Sequence, residues 1–301
     1  VHSQFQVVID TPPAHYRGRF APSPTGPLHA GSLLAALGSW LFARHAGGEW
    51  LVRMEDLDPP REVPGMAGRQ LEDLRRFGLE SDAPVLFQST RGPRYAEALA
   101  ALLASGDAFA CLCTRRDLEA TGGIHHACVP APSGGQPALR LRLPDREFAI
   151  ADRIRGRVAE NLAASSGDVV LRRADGPWAY QLAVVVDDAD QGITEVVRGA
   201  DLLDSTPRQA WLQQRLGLVT PAYAHLPLLR LPDGRKLSKS LSSAPVDPGD
   251  PLPALERAWA ALGQAPGVFS GALSTDRALA SALGAFDPLR IPSQDRIVPT
   301  V

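Results

Sequence analysis

The stretch Arg17-Gly-Arg-Phe-Ala-Pro-Ser-Pro-Thr-Gly-Pro-Leu-His-Ala-Gly-Ser-Leu-Leu-Ala-Ala-Leu37 decides the fold. It opens as a short strand, turns through alternating Pro and Gly, and becomes helical, with Leu33, Leu34, Leu37 and Leu41 at helical spacing. A helix N-terminus offers unpaired N–H groups and the positive end of a dipole, so a phosphate placed there finds donors aimed at it. His29, Gly31 and Ser32 stand at that point. Gly31 lets a ligand approach the backbone, and His29 adds an imidazole donor. Taken alone, the stretch also reads as a turn shaped by its Pro and Gly, with His29 on the surface.

Working outward, Trp50-Leu-Val-Arg-Met-Glu-Asp-Leu-Asp58 is an apolar strand that ends in carboxylates before Pro59-Pro60 stops it. Ligands of parallel sheets bind at the carboxyl ends of strands, which places Glu55 to meet a cation such as an amino group. Met66–Gly78 and Pro93–Ser105 read as amphipathic scaffold helices, and residues 1–15 as a loose leader.

All three cysteines, Cys111, Cys113 and Cys128, fall in one short segment with His125 and His126. Thiolate with imidazole is a zinc ligand set, and four protein ligands make a closed structural site of one ion per chain. The fourth ligand is His125 or His126, with His125 the first choice; buried free cysteines are the alternative reading. Ala138–Leu143, Asp168–Arg173 and Trp178–Asp188 carry strand signals, and Leu182-Ala-Val-Val-Val186 resembles a strand buried on both faces. Gly192–Gly199 is a further strand ending near Arg198, so Tyr180 and Arg198 belong to neighbouring elements and face one ligand. A helix follows from Thr206 to Leu216 with Pro207 near its start, and another over Pro253–Leu262.

The chain of 301 residues carries 31 Lys and Arg against 33 Asp and Glu, so no overall basic charge draws it to nucleic acid. RNA contact then needs a local patch, for which Arg153, Arg155, Arg157, Arg172 and Arg173 are candidates. No apolar run reaches membrane-spanning length, no secretory signal is recognisable, and three cysteines make no disulfide framework. These features lead us to expect a cytoplasmic enzyme, monomeric and without membrane contact. Neither G-x-x-x-x-G-K-[ST] nor G-x-G-x-x-G occurs, which argues against a P-loop kinase or a nicotinamide dehydrogenase.

Only two lysines remain among those 31 basic residues, Lys236 and Lys239, in Lys236-Leu-Ser-Lys-Ser240. Arginine is a planar fork and lysine a compact point charge. A site that needs a small mobile ammonium against phosphate oxygens resists the exchange that otherwise swept the chain.

Together, Arg19-Phe-Ala-Pro-Ser-Pro-Thr-Gly26 with His29-Ala-Gly-Ser32 and the distant Lys236-Leu-Ser-Lys-Ser240 resemble the two ATP-binding signatures of class I aminoacyl-tRNA synthetases. Arg53-Met-Glu-Asp-Leu-Asp58, Val185-Val-Asp-Asp188 and Val197-Arg-Gly-Ala-Asp201 are similar to the glutamyl branch, so the resemblance covers most of residues 16–245. About sixty residues follow the lysine motif, too few for the anticodon-binding region of ordinary glutamyl-tRNA synthetases. With its cysteine-rich insert, the chain therefore resembles the shortened paralogues of that branch, the glutamyl-Q tRNA(Asp) synthetases. Two departures stand out. Leu237 replaces the usual Met at near-constant volume, and His125 precedes Cys128 by three residues where the family commonly has a Tyr with Cys four residues on.

The resemblance implies a class I Rossmann-like parallel sheet in two halves, 16–105 and 166–245. A zinc-bearing insert occupies 106–165, and a short helical C-terminal region 246–301. It implies activation of L-glutamate with ATP and Mg²⁺, and transfer to the queuosine base of tRNA(Asp). His29 and Lys239 take the catalytic role. ATP falls to His29, Gly31, Ser32, Lys236, Ser238 and Lys239, and glutamate to Arg19, Ala21, Ser23, Glu55, Tyr180 and Arg198. Competing readings are a glutamyl-tRNA synthetase fragment charging tRNA(Glu), and a tRNA-binding module without catalysis.

Overall fold

The computed structural model describes residues 6–7, 15–130, 134–235, 246–269 and 271–297. Within what reads as a leader, β1 (Gln6–Val7) is a strand. β2 (Arg17–Phe20) is the strand half of the opening motif, and α1 (Ala30–His45) its helix, entered through the extended backbone of His29. α1 ends before Gly47, whose φ of +66° is left-handed and costs glycine no Cβ clash. β3 (Glu49–Met54) returns parallel to β2, with Arg19 opposite Leu51. α2 (Met66–Arg76), β4 (Leu86–Phe87) and α3 (Gly92–Ala104) follow, β4 parallel to β3.

β5 (Ala108–Cys111) and β6 (Ala138–Leu141) open the insert; then come β7 (Glu147–Asp152), β8 (Gly156–Asn161), the single turn α4 (Leu162–Ser165) and β9 (Val169–Arg172). β5, β6 and β9 form an antiparallel sheet of their own. That sheet uses β9 from beyond residue 165, whereas β7 and β8, within the expected insert bounds, belong to the main sheet.

The rest comprises α5 (Tyr180–Asp190), β10 (Glu195–Gly199), α6 (Thr206–Arg215), β11 (Ala222–Leu226), β12 (Leu229–Arg230), α7 (Pro251–Ala261), α8 (Thr275–Ala285) and β13 (Arg296–Ile297). Strands β1, β7, β11 and β10 run parallel in that order, with β8 antiparallel on β7. The β2-β3-β4 sheet joins this array at Arg17, whose carbonyl accepts from the Thr194 amide at 2.9 Å while its own amide donates to Thr194 Oγ1 at 2.9 Å. This is the α/β arrangement with a parallel sheet that the resemblance implies.

One element departs from expectation. Leu182–Val186 lies not in a strand but in α5, and all five residues are buried. A continuous apolar run has no periodicity to tell a fully covered helix from a central strand. Its neighbours α3, α6 and β9 cover it on several sides. The signals favouring a helix are its length and Gly192, at φ +63° just beyond its end.

α1 is packed on both flanks. A Cβ on Gly38 would come within 2.6 Å of Leu226 Cδ1, so any other residue there would force the buried Leu226 side chain on β11 to shift. On the outer side Trp259 of α7, Phe269 from the connection to α8 and Phe286 just after α8 enter the same core, with Phe42 edge-on to Phe286 at 5.5 Å between ring centroids. The C-terminal helices therefore hold α1 in place over the sheet. Among the described residues, no helix is long and apolar enough to cross a membrane.

Candidate active site and metal centre

Parallel strands deliver their last residues to one edge, and here β2, β3, β10 and β11 deliver Arg19, Arg53, Arg198 and His225. Each is at most 5% exposed. Charges so deeply buried need partners, and α5 supplies the chief one. Asp188 accepts from Arg19 Nε and Nη2 at 3.0 and 3.3 Å and lies 2.8 Å from Arg53 Nη1. Burial raises the Asp188 pKa, but the two guanidiniums outweigh it and hold the carboxyl below its ordinary value. Next along the helix, Asp187 accepts from Gln88 at 2.9 Å, Tyr95 at 2.7 Å and Arg91 Nε at 3.1 Å. α5 is thereby tied to β2 and β3 and to the segment from β4 into α3.

Arg53 Nη2 lies 3.5 Å from Glu55 Oε1, whose side chain is 11% exposed. Burial raises the Glu55 pKa despite the opposing pull of Arg53 and Arg19. Tyr180, the first residue of α5, has its hydroxyl 3.3 Å from Arg198 Nη1 and also lies in the fields of Glu55 and Arg19. Burial raises its pKa, so it stays a neutral hydrogen-bonding group. Tyr180 and Arg198 thus meet as expected, although Tyr180 comes from a helix end.

Two cavities meet at this edge. One, of about 530 Å³, is lined by Ala21, Ser23, His29, Gly31, Ser32, Gly199 and Asp201, among others. The other, of about 1200 Å³, is lined by Ala21, Ser23, Glu55, Tyr180 and Asp201 and extends to Cys111, Cys113, Arg115 and Arg140 of the insert. They share Ala21, Ser23 and Asp201. At the first, the amides of Gly31 and Ser32 donate to His29 Nδ1 at 3.1 and 3.3 Å, so the helix end reaches the cavity through the imidazole. Accepting there leaves the ring proton of neutral His29 on Nε2 as a donor. Lys236, Ser238 and Lys239 lie outside the described residues.

The ligand atoms of Cys111, Cys113, His125 and Cys128 lie within 4.8 Å of one another, which selects His125 over the exposed His126. His125 Nε2 is 3.3 Å from Cys111 Sγ, and Nδ1 is 3.0 Å from Asp168 Oδ2. A carboxylate on Nδ1 fixes the ring and leaves Nε2 free to ligate, as expected around a metal-binding histidine. The amides of Cys113 and Val129 point at Cys111 Sγ and Cys113 Sγ at 3.4 and 3.3 Å. Burial and the neighbouring Cys111 and Cys113 sulfurs push the Cys128 thiol up to about 11. The donor set, its packing and its carboxylate fit a zinc ion.

The five arginines considered as an RNA patch each have a partner within the chain. Arg153 pairs with Glu195, Arg155 with Asp295, Arg157 with Glu147 and Arg173 with Asp175, while Arg172 lies over the Trp178 ring. They are divided between the β7–β8 hairpin and the insert.

Residues 15–132 and 129–249 match the profile of the class I tRNA synthetases (E and Q), catalytic domain. A glutamyl-Q tRNA(Asp) synthetase of Xanthomonas campestris is 62% identical over 278 residues, covering 92% of this chain and 93% of the relative. One of Pseudomonas aeruginosa is 52% identical over 279 residues, covering 92% and 95%. Among solved structures, a glutamate tRNA ligase from Elizabethkingia meningosepticum in complex with its amino acid superposes with a TM-score of 0.78 at 28% identity. It covers 94% of this chain, which spans 66% of that one. The strand-end arginines, the capped α1 and the matched profile all lead to one assignment: the chain belongs to the class I tRNA synthetases of the glutamate and glutamine family.

Proposed function

We propose that the chain activates L-glutamate with ATP and transfers it to the queuosine base of tRNA(Asp). The observation that carries the activation step is the pair of adjoining cavities, one at the capped N-terminus of α1, the other lined by Glu55 and Tyr180, which Arg53 and Arg198 contact from behind. A dicarboxylate with one ammonium group complements that set: Arg19 and Arg198 take its carboxylates, Tyr180 adds a directional hydrogen bond, and Glu55 takes the ammonium. The names borne by relatives of near-equal length support the acceptor.

In the first step a glutamate carboxylate oxygen attacks the α-phosphorus of ATP in line. A new P–O bond forms, the bond to the β-phosphate oxygen breaks, and pyrophosphate leaves. The protein supplies positioning and charge stabilisation. His29 Nε2–H and the Lys239 ammonium donate to the phosphate oxygens as charge redistributes. Mg²⁺ held by phosphate oxygens and water would neutralise part of that charge. In the second step a hydroxyl of the modified base attacks the glutamyl carbonyl, and AMP leaves. Cys111, Cys113, His125 and Cys128 would hold one structural zinc ion that fixes the insert beside the larger cavity.

The test is labelled-glutamate transfer to tRNA(Asp) with and without queuosine, beside tRNA(Glu). Incorporation confined to queuosine-bearing tRNA(Asp) is expected, and charging of tRNA(Glu) would overturn the assignment. Two further outcomes follow from the site. Cys111→Ser should lose about one equivalent of zinc per chain by metal analysis, because a site missing one of four ligands binds far more weakly. The KM for glutamate should rise as pH falls through the elevated titration of Glu55, because its carboxylate must be ionised to hold the ammonium. The KM for ATP measured over the same range is the control, and Glu55→Gln should abolish the dependence.

A further inference from the structure

Arg198 is held by more than its place on β10. Its Nη2 donates to Thr206 Oγ1 and Gln209 Oε1, both at 2.8 Å, and its Nε donates to His225 Nε2 at 3.0 Å. His225 is fully buried on β11, directly opposite Arg198 in the β10–β11 register. Its other ring nitrogen, Nδ1, lies 2.6 Å from Asp152 Oδ2 at the end of β7. Asp152 is itself fixed, its Oδ1 accepting from the Ile154 and Arg155 amides at 3.0 and 2.8 Å.

The chemistry of this line admits one arrangement. Arginine Nε carries a hydrogen at all accessible pH, so His225 Nε2 must accept, and the single ring proton of a neutral imidazole must sit on Nδ1, where the Asp152 carboxylate receives it. With Nε and Nη2 both committed, only Nη1, beside the Tyr180 hydroxyl, is left to meet a ligand.

We propose that His225 and Asp152 are positioning residues for glutamate. The chain Asp152–His225–Arg198 spans three adjacent strands, β7, β11 and β10, and locks the guanidinium in the one rotation that presents Nη1 to the carboxylate. This inference rests on the reading of Arg198 as a carboxylate-binding residue. His225 stays neutral in this place: burial pushes its pKa down, Arg198 and Arg155 push the same way, and Asp152 opposes them. Tyr223, stacked on the ring, adds no charge while its own pKa is raised to about 12.

The test is steady-state ATP–pyrophosphate exchange with the full chain. Asparagine reproduces the donor at Nδ1 but ends short of Arg198. Glutamine places an acceptor near Nε2. His225→Asn is therefore expected to raise the KM for glutamate about 10-fold or more, the worth of a hydrogen bond to a charged group, and to leave the KM for ATP unchanged. His225→Gln should recover most of that loss. Asp152→Asn, which probes the link from its far end, should shift the KM for glutamate in the same direction. A wild-type KM for glutamate in His225→Asn overturns the proposal, as do equal losses in both His225 variants accompanied by a matching rise in the KM for ATP and a lower unfolding midpoint. Arg198→Ala separates the two levels. If it leaves the KM for glutamate unchanged, the carboxylate reading itself fails; if it raises that KM while His225→Asn does not, only the positioning role fails.

Discussion

Lys239→Ala is expected to slow glutamate-dependent ATP–pyrophosphate exchange by about 10²–10³-fold, the usual loss for one donor aimed at charge that develops in the transition state. The reasoning begins with composition. A chain with 31 basic residues keeps only two lysines, three positions apart, so exchange for arginine has been tolerated elsewhere and not there. An ammonium is smaller than a guanidinium, carries its charge on one atom and follows a moving phosphate oxygen without having to match a plane. Lys239→Arg should consequently restore little activity although it restores the charge. Far-ultraviolet circular dichroism and the unfolding midpoint should be those of the parent, because a lysine that serves the substrate has no folding role to lose. Retention of the parent exchange rate in Lys239→Ala would remove it from the mechanism.

The parts of this site that were legible in the sequence are those that repeat a local physical rule. Pro and Gly alternation followed by leucines at helical spacing located α1 and its N-terminus, and clustered Cys and His marked the metal centre. Carboxylates after an apolar strand located Glu55. What the sequence hid is what depends on long-range pairing. Asp187 and Asp188 read as the end of a buried strand. They are instead adjacent buried residues of a helix, each committed to partners on other elements. His225 lies in an apolar run, residues 224–231, that carries no chemical signal of its own, and Asp168 gave no sign that it would hold His125 from 43 residues away. The amides of Gly31 and Ser32, open in any isolated helix, are occupied by the side chain that precedes them. A one-dimensional pattern reports which groups are available, while their assignment to one another is settled only when the strands align.

Asp188 is where that assignment has the largest consequence for stability. Its side chain is 6% exposed and lies between Arg19 and Arg53, which are 3% and 0% exposed. Those two cations come from adjacent parallel strands, and no arrangement of the sheet moves them apart. Removing the carboxylate leaves two buried guanidiniums facing each other, with Glu55 and, more weakly, Asp187 the remaining anions acting on Arg53. Arg53 would keep Gln191 on Nη1 at 2.8 Å and the 3.5 Å ion pair of Nη2 with Glu55, but its Nε and Nη2 make no hydrogen bond among the described residues. Breaking a buried ion pair from one side costs about 3–5 kcal/mol, because the surviving charge keeps its desolvation penalty and loses its compensation. Asp188→Ala is therefore expected to lower the free energy of unfolding in urea by about that amount. Asp188→Asn, which keeps the shape and one acceptor, should lose less. The same linkage gives a pH dependence. The folded-state pKa of Asp188 is depressed, so its contribution is full above the ordinary aspartate range and disappears as pH falls through the depressed value. The parent should thus lose stability on acidification more steeply than Asp188→Asn, and parallel curves for the two proteins would show that the carboxylate does not neutralise the arginines.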